Sequence, residues 1–402
     1  MNNKVVLAFS GGLDTSFCVK YLSIEKDLEV YSVIANSGGF DDDELKDIEK
    51  RARELGVKEH VTIDITNDYY TKCVRYMVFG NVLRNNTYPL SVSSERTFQA
   101  IAVIEYAKKI GAQYVAHGST GAGNDQVRFD LVFQVLAPDI EILTPIRELQ
   151  LTRQQEIDYL KNNGVQANWD KMAYSVNKGV WGTSVGGKET LTSNQALPEE
   201  AYPNQLQERD EQDIILHFEK GELVGINNEL FEPWDAISNL EAICSRFAIG
   251  RDIHVGDTII GIKGRVGFEA AAAIITIKAH HLLEKHTLTK WQMHWKEQLG
   301  NWYGMFLHES FYLEPVMRNI EKFLEDTQKY VTGKVFITLK PYRFELKGIE
   351  SAYDLMSSDF AEYGEMNKAY SGEDVKGFTR ILSNSLRLYD LITHEIERQF
   401  SR

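Results

Sequence analysis

The stretch KVVLAFSGGLDTSFCVKYL, residues 4–22, contains a strand, a glycine turn and the beginning of a helix. The apolar run from Val5 to Phe9 indicates a buried strand, and a helical pattern starts around Thr15, after the turn Ser10-Gly11-Gly12. The N-terminus of a helix offers unbonded backbone N–H groups and the positive end of the helix dipole. This junction is therefore suited to binding a phosphate group.

The composition limits the classes of protein that the chain can belong to. Its 402 residues, 43% of them apolar, exceed the roughly 250–300 at which one core usually suffices, so we expect two domains. A formal net charge of −14 argues against a broad nucleic-acid surface. The absence of CxxC spacing favours reduced thiols over disulfides or a zinc site, for the cysteines Cys18, Cys73 and Cys244. No apolar run approaches the roughly 18 residues of a membrane span, and we expect a cytoplasmic protein.

The first half of the chain alternates strand and helix signals. The strand-like LEVYSVIANSGG, residues 28–39, precedes a helical stripe that ends at Gly56 and consists of Leu45, Ile48, Ala52 and Leu55. A strand at residues 60–66, a helix at 93–111 and a strand at 112–118 follow. This alternation predicts an α/β fold with a doubly wound, mostly parallel sheet, whose ligands lie at the carboxyl ends of the strands.

The second half of the chain differs from the first in composition and in its pattern of strand and helix signals. Residues 174–205 form a long segment rich in glycine, serine and asparagine, of the kind that is usually functional or disordered. Strand-like pieces, a helical block from Leu282 to Tyr303 and the hairpin-like KVFITLKPYRFEL, residues 334–346, predict a second, α+β domain. A terminal helix carries an amphipathic stripe that we expect to dock on its own or another subunit: Leu382, Leu386, Tyr389, Ile392 and Ile396.

The first loop differs from the common phosphate-binding motifs. Residues 10–16, SGGLDTS, lack the lysine of the GxxxxGK[ST] loop and do not match GxGxxG. The loop keeps amides and hydroxyls able to surround a pyrophosphate, and Asp14 is available to bind magnesium or to cap the helix. From the spacing alone, an ordinary strand-to-helix turn remains an equal alternative.

A second glycine-rich motif lies at residues 115–130, VAHGSTGAGNDQVRFD. The strand Tyr114–Ala116 leads into a loop with three glycines, which allow a ligand to approach the backbone closely, and a helix is expected to begin near Asn124. Asp125 and Arg128 would share one face of that helix. They could present opposite charges to a zwitterion, or they could form a local ion pair at the helix start.

These motifs resemble a known family. AFSGGLDTS, residues 8–16, resembles the PP-loop of the N-type ATP pyrophosphatases. The 115–130 motif resembles the argininosuccinate synthase family, as do three further segments in the expected order: YPLSVSSER at 88–96, APDIEILTPIREL at 137–149 and FTRILSNSLRLY at 378–389. The similarity covers nearly the whole chain. It implies an adenine nucleotide alpha hydrolase-like nucleotide-binding domain at residues 1–165, a synthetase/multimerisation domain at 166–370 and a C-terminal oligomerisation helix at 371–402 of a homotetramer.

The resemblance also implies a reaction. ATP and Mg²⁺ would activate the ureido oxygen of citrulline as a citrullyl-adenylate, and aspartate would then displace AMP to give argininosuccinate, an intermediate of arginine biosynthesis. No side-chain nucleophile and no protein metal cluster are implied. The bond that breaks lies between the α- and β-phosphates, so the loop has to hold the departing pyrophosphate, which explains how a P-loop lysine can be absent.

The site residues implied by the resemblance fall into three groups. The ATP-binding group is Ala8, Phe9, Ser10, Gly11, Gly12, Leu13, Asp14, Thr15, Ser16, Ala35 and Gly118. The aspartate-binding group, in which Asp125 pairs with the ammonium, is Thr120, Asn124 and Asp125. The citrulline-binding group is Tyr88, Ser93, Asn124, Arg128, Ser175 and Ser184.

Two positions depart from the family pattern. Gly256 and Phe268 stand where the family has a glutamate and a tyrosine that contact the amino-acid end of citrulline. One hypothesis is an N-acylated citrulline as substrate, placed in the space that the glutamate leaves; the other is a repaired citrulline site in which Asp257 replaces the glutamate. A non-catalytic nucleotide-binding relative and a tRNA-thiolating PP-loop relative are further alternatives, and the acidic charge disfavours the second.

Overall fold

The computed structural model describes residues 3–121, 123–165, 174–357, 360 and 369–400. The chain forms two compact units, Met1–Tyr353 and Asp354–Arg402. In the described ranges, no helix is both long enough and apolar enough to span a bilayer. Domain boundaries at residues 165 and 370 stay predictions.

The first part of the larger unit alternates strands and helices. Its elements are β1 (Lys4–Ala8), α1 (Leu13–Ile24), β2 (Glu29–Asn36), α2 (Asp42–Leu55), β3 (Glu59–Asp64), α3 (Thr66–Tyr69), α4 (Arg75–Phe79), α5 (Ser91–Lys109), β4 (Tyr114–Ala116), α6 (Asp125–Leu136), β5 (Glu141–Leu143), α7 (Pro145–Leu149) and α8 (Arg153–Asn162). The five strands pair in parallel in the order β3-β2-β1-β4-β5. The predicted doubly wound sheet is therefore confirmed. Its strand order reverses direction between β1 and β4, which places a ligand crevice at the carboxyl ends of these two strands.

Local signals explain the element boundaries in this sheet. Val5, Val6 and Leu7 of β1 are fully buried, as expected for a central strand covered on both faces. The α1 helix begins at Leu13, earlier than the expected start near Thr15, because Gly12 takes the N-cap position. The second helix ends as predicted at Gly56, which adopts φ +91°.

The rest of the larger unit mixes antiparallel sheets with helices, as predicted. Its elements are β6 (Ser175–Asn177), β7 (Thr183–Gly186), β8 (Gln212–Glu219), β9 (Glu222–Ile226), β10 (Glu229–Leu230), α9 (Pro233–Cys244), β11 (Arg251–Asp257), β12 (Lys263–Glu269), α10 (Ala271–Thr287), α11 (Lys290–His308), α12 (Pro315–Thr327), β13 (Gly333–Lys340) and β14 (Arg343–Glu350). One sheet has the order β10-β9-β8-β13-β14 and the other β11-β12-β7-β6. The expected helical block at 282–303 is split between α10 and α11, because Thr289 caps a new helix by accepting a hydrogen bond from the Gln292 amide.

The smaller unit contains α13 (Gly372–Leu382) and α14 (Asn384–Phe400). The predicted amphipathic stripe is present but crosses the junction, because Leu382 ends α13 and the other four residues lie on α14. All five side chains are exposed, from 47% at Ile396 to 74% at Leu386.

The first turn of α5 contains a buried carboxyl group, Glu95, which is 1% exposed. Its Oε1 atom has no hydrogen-bond partner among the described residues and packs against the backbone of Gly179, where any larger side chain would collide with it. Burial raises the pKa of Glu95 to about 8, although the charge of Arg96 and a hydrogen bond with Ser37 act in the opposite direction. Glu95 is therefore mostly protonated near neutral pH and packs as a neutral group.

We expect Glu95→Gln to stabilise the protein more in alkaline than in acidic solution. The folded-state pKa of Glu95 is raised above its ordinary value of 4.5, so the wild type loses stability as the pH rises from 4.5 through about 8, whereas glutamine cannot ionise. One pKa unit corresponds to about 1.4 kcal/mol, and the gain in unfolding free energy should be larger at about pH 9 than at about pH 5 by more than that amount.

Urea unfolding at both pH values measures this difference. Glu105→Gln, an exposed position on the same helix, is the matched control and should show no such pH dependence. A pH-independent effect of Glu95→Gln would contradict the assignment of a neutral buried carboxyl.

Candidate active site

The loop between β1 and α1 presents backbone amides to the crevice. Gly11 adopts φ +75°, a conformation that favours glycine, and Gly12 is the N-cap of α1. In the described part of the chain, no side chain caps this helix end. The Ser16 hydroxyl donates to the Gly12 carbonyl at 2.7 Å and ties the turn to the helix. The first-turn N–H groups thus remain available to an anion.

The α2 helix holds this loop from behind. A Cβ atom at Gly11 would lie 3.2 Å from Ile48 Cγ1, and Arg51 donates from Nη1 to the Gly11 carbonyl at 2.6 Å. The backbone of the loop therefore has little freedom to move. A side chain at Gly11 would be strained in φ and crowded by Ile48.

The second glycine-rich loop packs on the first turn of α1. A Cβ atom at Gly118 would lie 3.2 Å from Thr15 Cγ2 and 3.4 Å from the Thr15 amide nitrogen. His117 fixes this loop, because its Nδ1 accepts from the Ser119 amide at 3.2 Å, which leaves Nε2 to donate to Asp130 Oδ1 at 2.9 Å. The two motifs that the sequence singled out therefore meet at the switch point of the sheet.

Asp14 belongs to a carboxyl pair at this helix start. Burial raises the pKa of Asp14, and a hydrogen bond with Glu156 of α8 opposes the rise. Burial and the neighbouring Asp14 charge raise the pKa of Glu156 to about 8. Both shifts favour a proton on this pair near neutral pH, and the Asp14 side chain does not cap α1.

The carboxylate of Asp125 joins two guanidinium groups. Its Oδ2 accepts from Arg96 Nε and its Oδ1 accepts from Arg128 Nη1, both at 3.0 Å. Burial alone would raise the pKa of Asp125, but the charges of Arg96 and Arg128 lower it below its ordinary value. The Asp125 side chain is still 37% exposed, so its carboxylate has room for a further, cationic partner.

The same cluster connects the parallel sheet to the second half of the larger unit. Arg96 Nη2 donates to Asn177 Oδ1 of β6 at 3.0 Å, and Arg128 Nη2 donates to the His308 carbonyl of α11 at 3.0 Å. Asn124 Oδ1 accepts from the Ile259 amide at 2.8 Å, in the turn between β11 and β12. Segments far apart in sequence thus meet around the start of α6.

Tyr88 forms an aromatic wall of the site. Its ring is 4% exposed and lies 5.2 Å from the His254 ring and 5.3 Å from the Phe268 ring, measured between centroids. Phe268 pairs with Ser184 across β12 and β7, and paired residues of antiparallel strands share a face. Asn177 Nδ2 donates to Ser184 Oγ at 3.4 Å on that face. Tyr88, Phe268 and Ser184 therefore lie together along one side of the site.

The structure fills the space at the altered position 256. A Cβ atom at Gly256 would lie 2.6 Å from His254 Nε2, so the imidazole occupies the room that the acyl hypothesis requires. The Asp257 carboxylate binds Lys263 Nζ at 2.7 Å and is exposed, because successive strand residues face opposite sides. Asp257 therefore already has a cationic partner, and its replacement of the family glutamate stays a prediction.

The remaining sequence-derived residues lie around these clusters. Ala35 lies near the carboxyl end of β2, Ser93 is buried in the first turn of α5, Thr120 is exposed in the loop after β4, and Ser175 is exposed at the start of β6. Several neighbours had no sequence signal because their partners are distant along the chain: Arg84, Asn177, His254, Ile259 and His308. Arg96 was visible within YPLSVSSER but carried no assigned role.

The comparisons with known proteins agree with this architecture. The chain matches the model of the Arginosuccinate synthase N-terminal HUP domain over residues 4–166 and that of the Arginosuccinate synthase C-terminal domain over residues 174–389. It is 33% identical to the argininosuccinate synthase of Methanocaldococcus jannaschii, covering 97% of this chain and 99% of that relative. It is 35% identical to the enzymes of the same name from Dictyoglomus thermophilum and Xanthomonas campestris pv. campestris, each covering 96% of this chain and 98% of the relative. The chain therefore belongs to the argininosuccinate synthase family.

Proposed function

We propose that the amides at the start of α1 bind the pyrophosphate portion of ATP while citrulline and aspartate occupy the cluster around Asp125. As a member of its family, the chain is an ATP-dependent ligase that joins citrulline to aspartate in arginine biosynthesis. The observation that carries the residue assignment is the uncapped first turn of α1, which lies against Gly118 at the reversal of strand order.

ATP fits the residues at this edge. The Gly11 backbone conformation and the small Gly118 allow phosphate oxygens to approach N–H donors closely, and Ala35 lies beside them near the end of β2. The ureido oxygen attacks the α-phosphorus, the bond to the bridging oxygen breaks, and pyrophosphate leaves. The amides stabilise the charge that develops on this leaving group.

The second step forms the carbon–nitrogen bond. The aspartate amine attacks the activated ureido carbon, AMP departs with the former ureido oxygen, and the amine loses a proton. We assign Asp125, together with Thr120 and Asn124, to hold aspartate, since the Asp125 carboxylate is partly exposed and its lowered pKa keeps it anionic. Aspartate first binds through its ammonium group. The ammonium group then releases a proton, and the resulting amine attacks.

We assign the citrulline-binding role to a group of residues that runs from this cluster along the Tyr88 wall. Its members are Tyr88, Ser93, Asn124, Arg128, Ser175 and Ser184. The support is that Tyr88 and Ser184 border one wall through Phe268, while Arg128 joins Asp125 from the α6 side. The proposed reaction needs no covalent enzyme intermediate. Much of the rate acceleration would therefore come from holding the reacting atoms in line.

Mg²⁺ is proposed as the companion of the triphosphate. Protein-bound Mg²⁺ usually keeps water and phosphate oxygens among its ligands and uses one or two carboxylates. Asp14 is the acidic residue in the first turn of α1 and fits this role as an oxygen ligand. The ion would neutralise phosphate charge when bound.

The alternatives weighed for the substrate are not favoured. His254 occupies the room for an acyl group beside Gly256, and the family relatives are citrulline ligases by name. A non-catalytic role is not favoured either, because the amide loop, the Asp125 cluster and the Tyr88 wall are all formed. We further propose a cytoplasmic homotetramer in which the exposed stripe of α14 packs on a neighbouring subunit.

We expect AMP and pyrophosphate to form from ATP only when citrulline and aspartate are both present. Gly11→Ala should reduce kcat roughly 100-fold, the order of effect seen when a donor to a developing anion is lost. Coupled detection of pyrophosphate with chromatographic detection of AMP measures the reaction.

Gly56→Ala is the matched control for backbone strain. Gly56 also has a positive φ, of +91°, so alanine would be strained there too. A Cβ at this position meets open space, and residue 56 lies far along the chain from the β1–α1 loop. Its kcat should stay within about twofold of wild type, since a strained turn costs about 1–2 kcal/mol of stability without touching the amides. Formation of ADP in place of AMP would refute the proposed function.

We expect deletion of the residues after Gly377 to lower the oligomer mass. The deletion removes the exposed apolar stripe of α14, whose burial would stabilise an assembly at about 25 cal/mol per Å². The double change Leu386→Asp with Ile392→Asp should act like the deletion in light scattering. The exposed polar change Glu395→Lys is its control, and an unchanged mass after the deletion would exclude α14 as the assembly contact.

A further inference from the structure

Arg84 lies beside Tyr88 and has one buried donor that is not used. Its Nε atom makes no hydrogen bond within the part of the chain that the structure describes. Burial lowers the pKa of Arg84, and the acids that oppose this effect, Glu309 and Asp257, act through space without an ion pair in the described ranges. A buried N–H donor without a partner costs free energy unless a ligand supplies an acceptor.

The backbone places Arg84 beside Tyr88. The Arg84 amide donates to the Tyr88 carbonyl at 2.8 Å, and the Tyr88 amide donates back to the Arg84 carbonyl at 3.1 Å. The two residues form an antiparallel bridge. Residues that exchange both hydrogen bonds in this way project their side chains to the same side. The Arg84 side chain therefore lies on the same side of the backbone as the Tyr88 ring.

The surroundings of Arg84 favour an anion. Burial, with the Arg84 charge as a further cause, lowers the pKa of His254 to about 4, and burial with the charges of Arg128 and Arg84 lowers that of His308 to about 3. Both imidazoles are neutral at physiological pH. Position 256 is glycine and contributes no carboxylate, and Asp257 is paired with Lys263 on the exposed side.

We propose that Arg84 binds the α-carboxylate of the ureido substrate and makes that carboxylate a requirement of the citrulline site. The inference rests on the proposed function of this site. Arg84 holds the amino-acid end of the substrate against the Tyr88 wall, and the ureido end then extends toward the crevice that holds ATP. Arg84 is a specificity-determining residue that takes no part in proton or adenylyl transfer.

A structural ion pair between Arg84 and Glu309 is the competing explanation. It predicts that Arg84→Gln and Glu309→Gln lower the melting temperature to a similar extent and leave the KM for every substrate unchanged. Substrate binding by Arg84 predicts a selective effect on the ureido substrate.

The test compares L-citrulline with L-citrullinamide, whose α-carboxylate is replaced by a neutral amide, in wild type and in Arg84→Gln. Charged hydrogen bonds contribute about 1.5–3 kcal/mol, so we expect wild type to prefer citrulline by roughly ten- to a hundredfold in kcat/KM. Arg84→Gln should raise the KM for citrulline by a similar factor and reduce the preference to about twofold or less. The KM values for ATP and aspartate should stay within about twofold.

Two further variants keep the result interpretable. Arg84→Lys retains a charge without the planar fork and should restore part of the preference for citrulline. Arg343→Gln makes the same chemical change at an exposed position and should match wild type. Thermal melting verifies that each variant is folded.

The outcomes separate this inference from the proposed function. If wild type forms no AMP with citrulline and aspartate, the proposed function fails. If wild type is active but Arg84→Gln keeps the full preference for citrulline, or raises the KM for aspartate instead, the inference about Arg84 is overturned and the proposed function stands.

Discussion

The Asp125 carboxylate, bonded to the guanidinium groups of Arg96 and Arg128, is the interaction on which the site depends. Arg96 also reaches Asn177 and Arg128 also reaches the carbonyl of His308, so one carboxylate coordinates contacts from both halves of the larger unit. Because the Asp125 side chain is 37% exposed, solvent screens part of the attraction, and loss of one partner should cost less than the roughly 3–5 kcal/mol typical of a fully buried ion pair. The cluster therefore fixes the position of the start of α6 relative to the antiparallel sheet.

This arrangement explains how a strongly acidic chain can bind three anionic or zwitterionic substrates. The groups that we propose for recognition are local: neutral amides at the start of α1, two guanidiniums held by Asp125, and the guanidinium of Arg84. Backbone amides can stabilise the charge on the departing pyrophosphate without the lysine side chain that a P-loop uses. A fixed backbone donor set suits a reaction in which pyrophosphate departs intact, and the packing of Ile48 behind Gly11 keeps that set in place.

The sequence predicted the parallel sheet because its strand and helix patterns depend on neighbouring residues, whereas the family resemblance alone assigned the two glycine-rich loops to one ATP site. Alternating patterns define the strands, and strand order places Gly11 and Gly118 at one edge. The bonds of Arg96 to Asn177 and of Asn124 to the Ile259 amide could not be predicted, since they join positions whose separation in sequence carries no periodic signal. The sequence also could not show that His254 fills the space beside Gly256. That contact depends on the geometry of the strand in the folded protein.

Transfer of oxygen from the ureido group to AMP tests the central claim most directly. Citrulline labelled with ¹⁸O in its ureido group is incubated with ATP and aspartate, and the AMP is analysed by mass spectrometry. The account predicts that AMP gains one ¹⁸O atom while pyrophosphate gains none, because the ureido oxygen attacks the α-phosphorus. Unlabelled AMP, or label in pyrophosphate, would contradict adenylyl transfer to citrulline at the α1 loop.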